Sequence, residues 1–336
     1  MASPANDRPT NPPSRKKSKL RCRTSGNFAQ WLTQSGGSLA ITTYTSGLLV
    51  LVSSFEGRLR YRTQRFSRPM GLAIKENRLA LAVRREVLLF QRTSDTNEVF
   101  RLRRIYHTGK VDAHDIAFGN QGVYFANTRY NAIARVSKKK HFIHCWQPSF
   151  IAGVVRGDRC HLNGIGMREG QPAMVTAFCA TGHQSGWREQ DRFTGGVMID
   201  VERDEVVAAG LCMPHTPRWH NDHWWLCDSG RGLLSVFNET SGETQEVCAL
   251  PGFTRGLSFV GNHALVGLSR IRRKHILDAP PVRQRVRKIK AGIALVDVSS
   301  GKHTGTLEFL DAGNEVFEVT FLPELLAPSI RSSRSG

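Results

Sequence analysis

A six-residue motif recurs six times along the chain, and a repeat at a period of tens of residues constrains the fold more tightly than any local propensity. The copies are PMGLAI at 69–74, AHDIAF at 113–118, LNGIGM at 162–167, PHTPRW at 214–219, TRGLSF at 254–259 and VFEVTF at 316–321. Five are followed by a turn and a second apolar run: RLALAV, VYFAN, AMVTAF, HWWLCD and HALVGL. A third run then comes in each (EVLLF, AIARV, GGVMIDV, LLSVF, GIALVDV), with fourth candidates in EVFRLRRI, KHFIHCW, EVVAAGL, QEVCAL and HTGTLEF. The runs are short and bounded by Gly, Asn and Asp, and from Ser38 onward no 3.6-residue stripe competes with them, so the chain reads as all-β.

Taking the second residue of each copy (Met70, His114, Asn163, His215, Arg255, Phe317), the spacings are 44, 49, 52, 40 and 62 residues, which suits four-stranded propeller blades with loops of unequal length. The sixth copy has chain left for only its first strand. Its missing partners stand at the other end, in SLAITTY, GLLVLVSS and RLRYRTQRF across 38–66. The expectation is a six-bladed β-propeller whose last blade joins the C-terminal inner strand to three N-terminal strands, a closure that leaves no free sheet edge between the chain ends. A seven-bladed ring or a pair of β-sandwiches leaves the split blade unexplained. One domain over 27–325 follows, with tails at 1–26 and 326–336 read as disordered: the first is rich in Pro, Ser, Lys and Arg and has no periodicity.

The formal charge of +19 matters through its location. Residues 1–26 carry +6 and residues 270–290 carry +8, so the folded body is only mildly basic. The second run, with Pro280 and Pro281, interrupts the fifth repeat between its second and third strands and is expected to overhang the site as a lid, as a dock for an acidic protein or nucleic acid, or as a solvated excursion. The seven Cys form no CxxC pair and fall mostly in apolar runs, which fits reduced thiols in a cytosol. No apolar export segment opens the chain, and no stretch reaches the roughly 18 apolar residues of a membrane span.

Loops leading into first strands, and loops joining second to third strands, open on one face around a propeller's axis. The first set holds His114, Asp115, His161, Asn163, His215, Arg218 and Arg255; the second holds Asn127, Arg129, Asp228, Arg231 and Arg270. His114, Asn163 and His215, from three consecutive repeats, could form an open divalent-metal site. Alternatively His114 or His215 is a general base oriented by Asp115 or Asp228, or those carboxylates only satisfy turn amides. The guanidinium forks of Arg129, Arg218, Arg231, Arg255 and Arg270 suit a small anionic ligand; the competing reading pairs Arg218 and Arg255 with Asp115, Asp228 or Glu318 inside the protein. Trp219, Trp224 and Trp225 read as blade core, and His220 and His223 lie away from the ring. An enzyme of lyase, hydrolase or isomerase type and a non-catalytic scaffold both remain open.

The series HDIAF, CHLNGIG, PHTPRWHNDHWWLCDSGRG, LPGFTRGLSF and VGLSRIR resembles an uncharacterised bacterial family of conserved hypothetical proteins, a domain of unknown function, over about 27–325. The resemblance implies the domain and marks these positions, and brings no activity, substrate or cofactor. More loosely, the architecture looks like the gluconolactonase, strictosidine-synthase and peptidyl-hydroxyglycine-lyase propellers, many of which hold a channel metal. Met70 and Phe317 occupy two ring places where the gluconolactonase-like pattern of acidic ligands would be needed.

Overall fold

The computed structural model describes residues 20–94, 98–270 and 280–332. Six sheets stand in a ring, each with four antiparallel strands that are consecutive in the chain except in the sheet that joins its ends; two sheets gain a fifth strand from a chain end. From the inner strand outward, blade one is Leu72–Lys75, Arg78–Val83, Glu86–Gln91 and Val99–His107. Blade two is Ala113–Gly119, Gly122–Asn127, Ala132–Arg135 and Ile143–Trp146; blade three is Gly164–Arg168, Gln171–Ala177, Gly196–Asp200 and Glu205–Leu211. Blade four is Pro214–His220, His223–Asp228, Leu233–Phe237 and Thr244–Ala249; blade five is Phe253–Val260, His263–Ser269, Gly292–Asp297 and Lys302–Phe309. Blade six takes its inner strand from Val316–Pro323 and the rest from Gly37–Thr43, Leu48–Phe55 and Arg58–Arg65, the closure expected from the repeat.

Along the buried strands alternate residues enter the interfaces on either side, so each blade packs on both of its neighbours. In Gly37–Thr43, Leu39 and Ile41 join the core shared with blade five, while Ala40 between them joins the core shared with blade one. The adjacent tryptophans divide the same way: Trp224 packs towards blade three with Met174 and Met198, and Trp225 towards blade five with Leu257 and Val266. Each junction between blades has such a cluster, so the core is six wedges rather than one centre.

Both ends are more ordered than their composition suggests. Cys22–Gly26, expected in the disordered tail, is a fifth strand antiparallel to Lys302–Phe309, and Ser329–Arg331 runs parallel to the outer strand of blade one. Neither has an alternating apolar pattern; the exposed backbone edge of an outer strand recruits them by main-chain hydrogen bonds. Residues 1–19 and 333–336 lie outside the described residues. The helix Phe28–Gln34, also unforeseen, buries Phe28, Trp31 and Leu32 over the junction of blades five and six, with Trp31 against Phe321 and His263. Among the described residues no helix is long and apolar enough to cross a membrane.

Candidate functional site

The inner strands of a propeller present an unpaired backbone edge to the axis, and regular alternation would send their side chains into the neighbouring blades. Four of the six inner strands break that alternation at the repeat position by one extra residue. Opposite Ala126 stand both His114 and Asp115; opposite Leu226, Thr216 and Pro217; opposite Gly267, Arg255 and Gly256. In blade six the extra residue falls at Phe317–Glu318. A β-bulge re-aims side chains, and here it turns polar residues towards the channel. Gly256 enters its bulge at φ +78°, and a Cβ there would stand 2.8 Å from the Glu318 Cα.

One layer of this polar set closes the channel. Arg218 donates to both oxygens of Asp115 at 2.8 and 3.0 Å and to Glu318 at 2.9 Å, and also to the carbonyls of Ile165 and Pro217. Asp115 accepts the backbone N–H of Ile116 and of Ile165; Glu318 accepts those of Leu257 and Val319. The cluster therefore satisfies unpaired edges in five blades. Burial pushes the Glu318 carboxyl up to about 8, with Asp115 adding to the shift and Arg218 opposing it. This is the internal pairing weighed from the sequence for Arg218. Asp115 is spent on it and orients no histidine.

One residue along the strands lies a second layer, made by His114, His161, His215, Arg255 and Phe317. The His114 and His161 rings meet edge to face at 4.8 Å; His114 packs on Phe317 at 5.3 Å, and the Arg255 guanidinium lies over the same phenyl at 3.4 Å. Phe178 links His161 (4.4 Å) to His215 (5.3 Å), with Trp187 beside His161 and Phe253 beside His215. The rings stand between the Arg218 plug and the loops of that face.

Each imidazole is tethered through Nδ1. That of His114 is 2.8 Å from the Asp112 carbonyl and 2.8 Å from Thr128 Oγ1, whose own proton goes to the Leu162 carbonyl. His215 repeats the arrangement with the Met213 carbonyl at 3.0 Å and with Ser229 Oγ at 2.9 Å, which donates to Cys227. Since both partners accept, Nδ1 carries the proton in both rings, and Nε2 is left with a lone pair. Burial first, then His161 and Arg255, hold His114 well below the usual imidazole range; burial, Arg255 and the other two rings do the same to His215. His161 differs, because its Nδ1 meets the Asp158 carboxylate at 2.8 Å. Burial works against that carboxylate, but His161 and Arg188 outweigh it and keep the Asp158 carboxyl below its ordinary range.

Backbone geometry makes these tethers. Asp112, His161 and Met213 each stand two residues before the aligned position, all with φ near +53°. Their carbonyls turn back to the side chains of His114, Asn163 and His215 respectively. In blade three the aligned residue is Asn163, whose amide is taken up by the His161 carbonyl and Thr176 Oγ1. The third imidazole of the layer is His161 itself. The repeat thus brings His114 and His215 together as expected but places His161, rather than Asn163, as their companion. Among the described residues no group of three or more His, Cys, Asp or Glu is arranged to hold a metal ion.

The remaining expected residues sit on the surrounding loops. Asp228 accepts the Cys212 N–H and pairs with Arg231, which also reaches the carbonyls of Phe193 and Gly210; this pair orients no histidine. Arg270 is held by Asn314 and the Phe309 carbonyl, and Arg129 stands 3.4 Å from Asp112. Asn127 is fully buried at the end of its strand, with neither amide atom hydrogen-bonded among the described residues. Of the basic insertion, 271–279 lie outside the described residues, while Arg285 caps the carbonyls of Arg231, Gly232 and Leu250. Sequence reasoning missed Asp158, Phe178, Trp187 and Phe253; the one signal was the Asp158–His161 spacing. Two surface clefts, of about 500 Å³ beside Ile74 and Pro323 and about 490 Å³ beside Asp228 and Arg231, contain none of the three histidines. Convergent chemistry rather than cleft size singles out the histidine layer.

The fold recurs in solved structures of remote sequence. A protein of unknown function from Bacteroides caccae aligns at 8% identity with TM-score 0.55, over 85% of this chain and 98% of its own. A chain of a nidogen/laminin complex aligns at 8% identity with TM-score 0.54, over 86% and 99%. At that identity only the propeller is shared. No curated protein is recognisably similar. A family model described as a domain of unknown function, DUF4915, matches residues 26–330.

Proposed function

Because this chain belongs to the family of the domain of unknown function DUF4915, whose description assigns no activity, we propose from its geometry that the histidine layer binds a small anionic molecule and moves a proton on it. Arg255 supplies the fixed cation, and His114 and His215 are neutral ring walls. His161, backed by Asp158, handles the proton, in the relation of a general base to its orienting carboxylate. The observation that carries this reading is the gathering of three imidazoles and one guanidinium at one level of the channel, with every Nδ1 tied from behind. A lyase, hydrolase or isomerase working by proton transfer fits such a site; Arg218, Arg231 and Arg270 are structural supports.

Thermal-shift titration with simple carboxylates checks the binding step. Wild type should be stabilised, and Arg255→Met should lose that stabilisation; an unchanged shift in the variant rejects Arg255 as the anion's partner. Metal analysis of protein purified without chelator separates this reading from a divalent ion on the same three rings. A near-stoichiometric metal would displace it, and only traces are expected.

A further inference from the structure

We infer that the outer rim of blades six and one is a binding surface for single-stranded nucleic acid, with arginines on its phosphates and exposed aromatic rings on its bases. The surface lies outside the channel and is independent of the reading above.

The charge of the folded body is not spread evenly. Arg58–Arg65, the outer strand of blade six, holds Arg58, Arg60, Arg62 and Arg65, all exposed, and no acidic residue. Val99–His107, in blade one, holds Arg101, Arg103 and Arg104, again with no acidic residue. The chain that follows Leu325 ties the two rims together. Arg62 donates to the Ala327 carbonyl at 3.3 Å and Gln64 to Ser332 Oγ at 2.9 Å, while Ser329–Arg331 pairs with Val99–Arg101 and adds Arg331. Among the described residues none of these eight guanidinium groups is paired with a carboxylate. Glu98, just before the blade-one strand, is taken up by the N–H groups of Leu326 and Ala327. Like charges without counter-charges raise the local potential and draw an anion from outside.

The pattern of the surface says which anion. Arg58, Arg60 and Arg62 fall on one side of their strand, roughly 7 Å apart, as a row of forks suited to successive phosphates. Leu59, between two of them, turns to the core shared with blade five. Each exposed ring stands beside an arginine. Phe55, 49% exposed, lies under Arg60 at 4.2 Å; Tyr61, 37% exposed, sits between Arg60 and Arg62; Tyr106 has Arg104 at 6.0 Å. A docked protein would want an apolar centre depleted of charge, which this rim does not offer. Basic groups interleaved with aromatic rings suit a single strand, whose bases are free to stack on them.

Fluorescence anisotropy of the full chain with dye-labelled oligothymidylate tests this. With about five phosphates met, affinity should fall about a hundredfold from roughly 50 to 200 mM salt. Replacing Arg58, Arg60 and Arg62 together by Gln should weaken binding at least about tenfold and make the logarithmic salt slope shallower by about 2. Removing the same charge from the exposed loop of blade two, by Lys138→Gln, Lys139→Gln and Lys140→Gln, should change affinity by less than about threefold. Phe55→Ala, which alters no charge, should weaken binding about fivefold or more and leave the slope unchanged. All the substituted side chains are exposed, and unchanged melting of each variant separates lost contact from lost fold. Absence of binding at the lowest salt would overturn the inference, as would equal losses in the arginine and lysine variants. Binding untouched by the arginine substitutions would place the strand on another basic segment and overturn it too. So would capture of phosphatidylserine vesicles without capture of the oligonucleotide, which would make the rim a membrane surface.

Discussion

Replacing Arg218 by Met would remove the one guanidinium of a buried cluster and leave two carboxylates facing each other at the axis. The side chain makes five hydrogen bonds, three of them to Asp115 and Glu318, whose side chains are 4% and 3% exposed. Breaking a buried ion pair from one side costs about 3–5 kcal/mol, which for a chain of this size is a fall of roughly 4–7 °C in Tm. The loss must depend on pH. Burial raises the folded-state pKa of Glu318 from the ordinary 4.5 to about 8, so the stability it contributes is complete below the unfolded value and lost as pH rises through about 8. Without Arg218 the ionised form is less favoured still. The Tm deficit of Arg218→Met should therefore be greatest near pH 8.5 and should shrink towards pH 5, where a proton on Glu318 relieves the repulsion. Calorimetric melting of wild type and variant across that interval decides the matter. A deficit under about 2 °C at pH 8.5, or one of equal size at both ends, would refute the claim that the cluster is a charge-compensated plug. Glu318→Gln should flatten the wild-type slope between pH 5 and 8.

Three further outcomes follow from other parts of the ring. Gly256→Ala places a Cβ against the Glu318 backbone at left-handed φ and should cost about 2–3 kcal/mol, whereas Gly57→Ala, at φ +71° with open space around it, should cost about 1; urea midpoints compare them. An aromatic disulfide reagent should modify exposed Cys145 first and half-buried Cys22 next, well before buried Cys160, Cys179, Cys212, Cys227 and Cys248, and fast labelling of native protein carrying both Cys22→Ser and Cys145→Ser would contradict the burial. Removing residues through Gly26 strips the fifth strand from blade five and leaves Glu308 without Arg23, 2.6 Å away, so Tm should fall by several degrees, with part recovered by Glu308→Gln.

The blades were legible because short apolar runs bounded by Gly, Asn and Asp turns recur in sets of four behind one repeated motif. Trp224 and Trp225 could be read as blade core, and blade six could be assembled from opposite ends of the chain because its strands obey the same period. Cys22–Gly26 and Ser329–Arg331 were not legible, since a strand held on an outer edge by main-chain hydrogen bonds needs no alternating side chains. The Phe28–Gln34 helix spans only seven residues, two turns carrying Phe28, Trp31 and Leu32, too few for a helical period to stand out.

The site was half legible, for a reason that lies in the backbone. Aligning the repeats finds positions where polar residues recur, but the role of each depends on bulges and left-handed residues that no side-chain pattern specifies. In blades two and four the residue at left-handed φ, Asp112 or Met213, lends only its carbonyl, and the histidine two places on takes it. In blade three the same carbonyl is taken by Asn163, and the left-handed residue is the histidine. The imidazole is thereby shifted by two places in the sequence yet stays in the same layer as the other two. The arginines divide on similar grounds. Arg218 lies past the bulge of its strand, beside bare strand edges and two carboxylates, so packing spends it. Arg255 occupies its bulge, against Phe317 and within electrostatic reach of His114 and His215. One arginine therefore holds the ring together at its axis. The other lies against Phe317 beside the histidine rings.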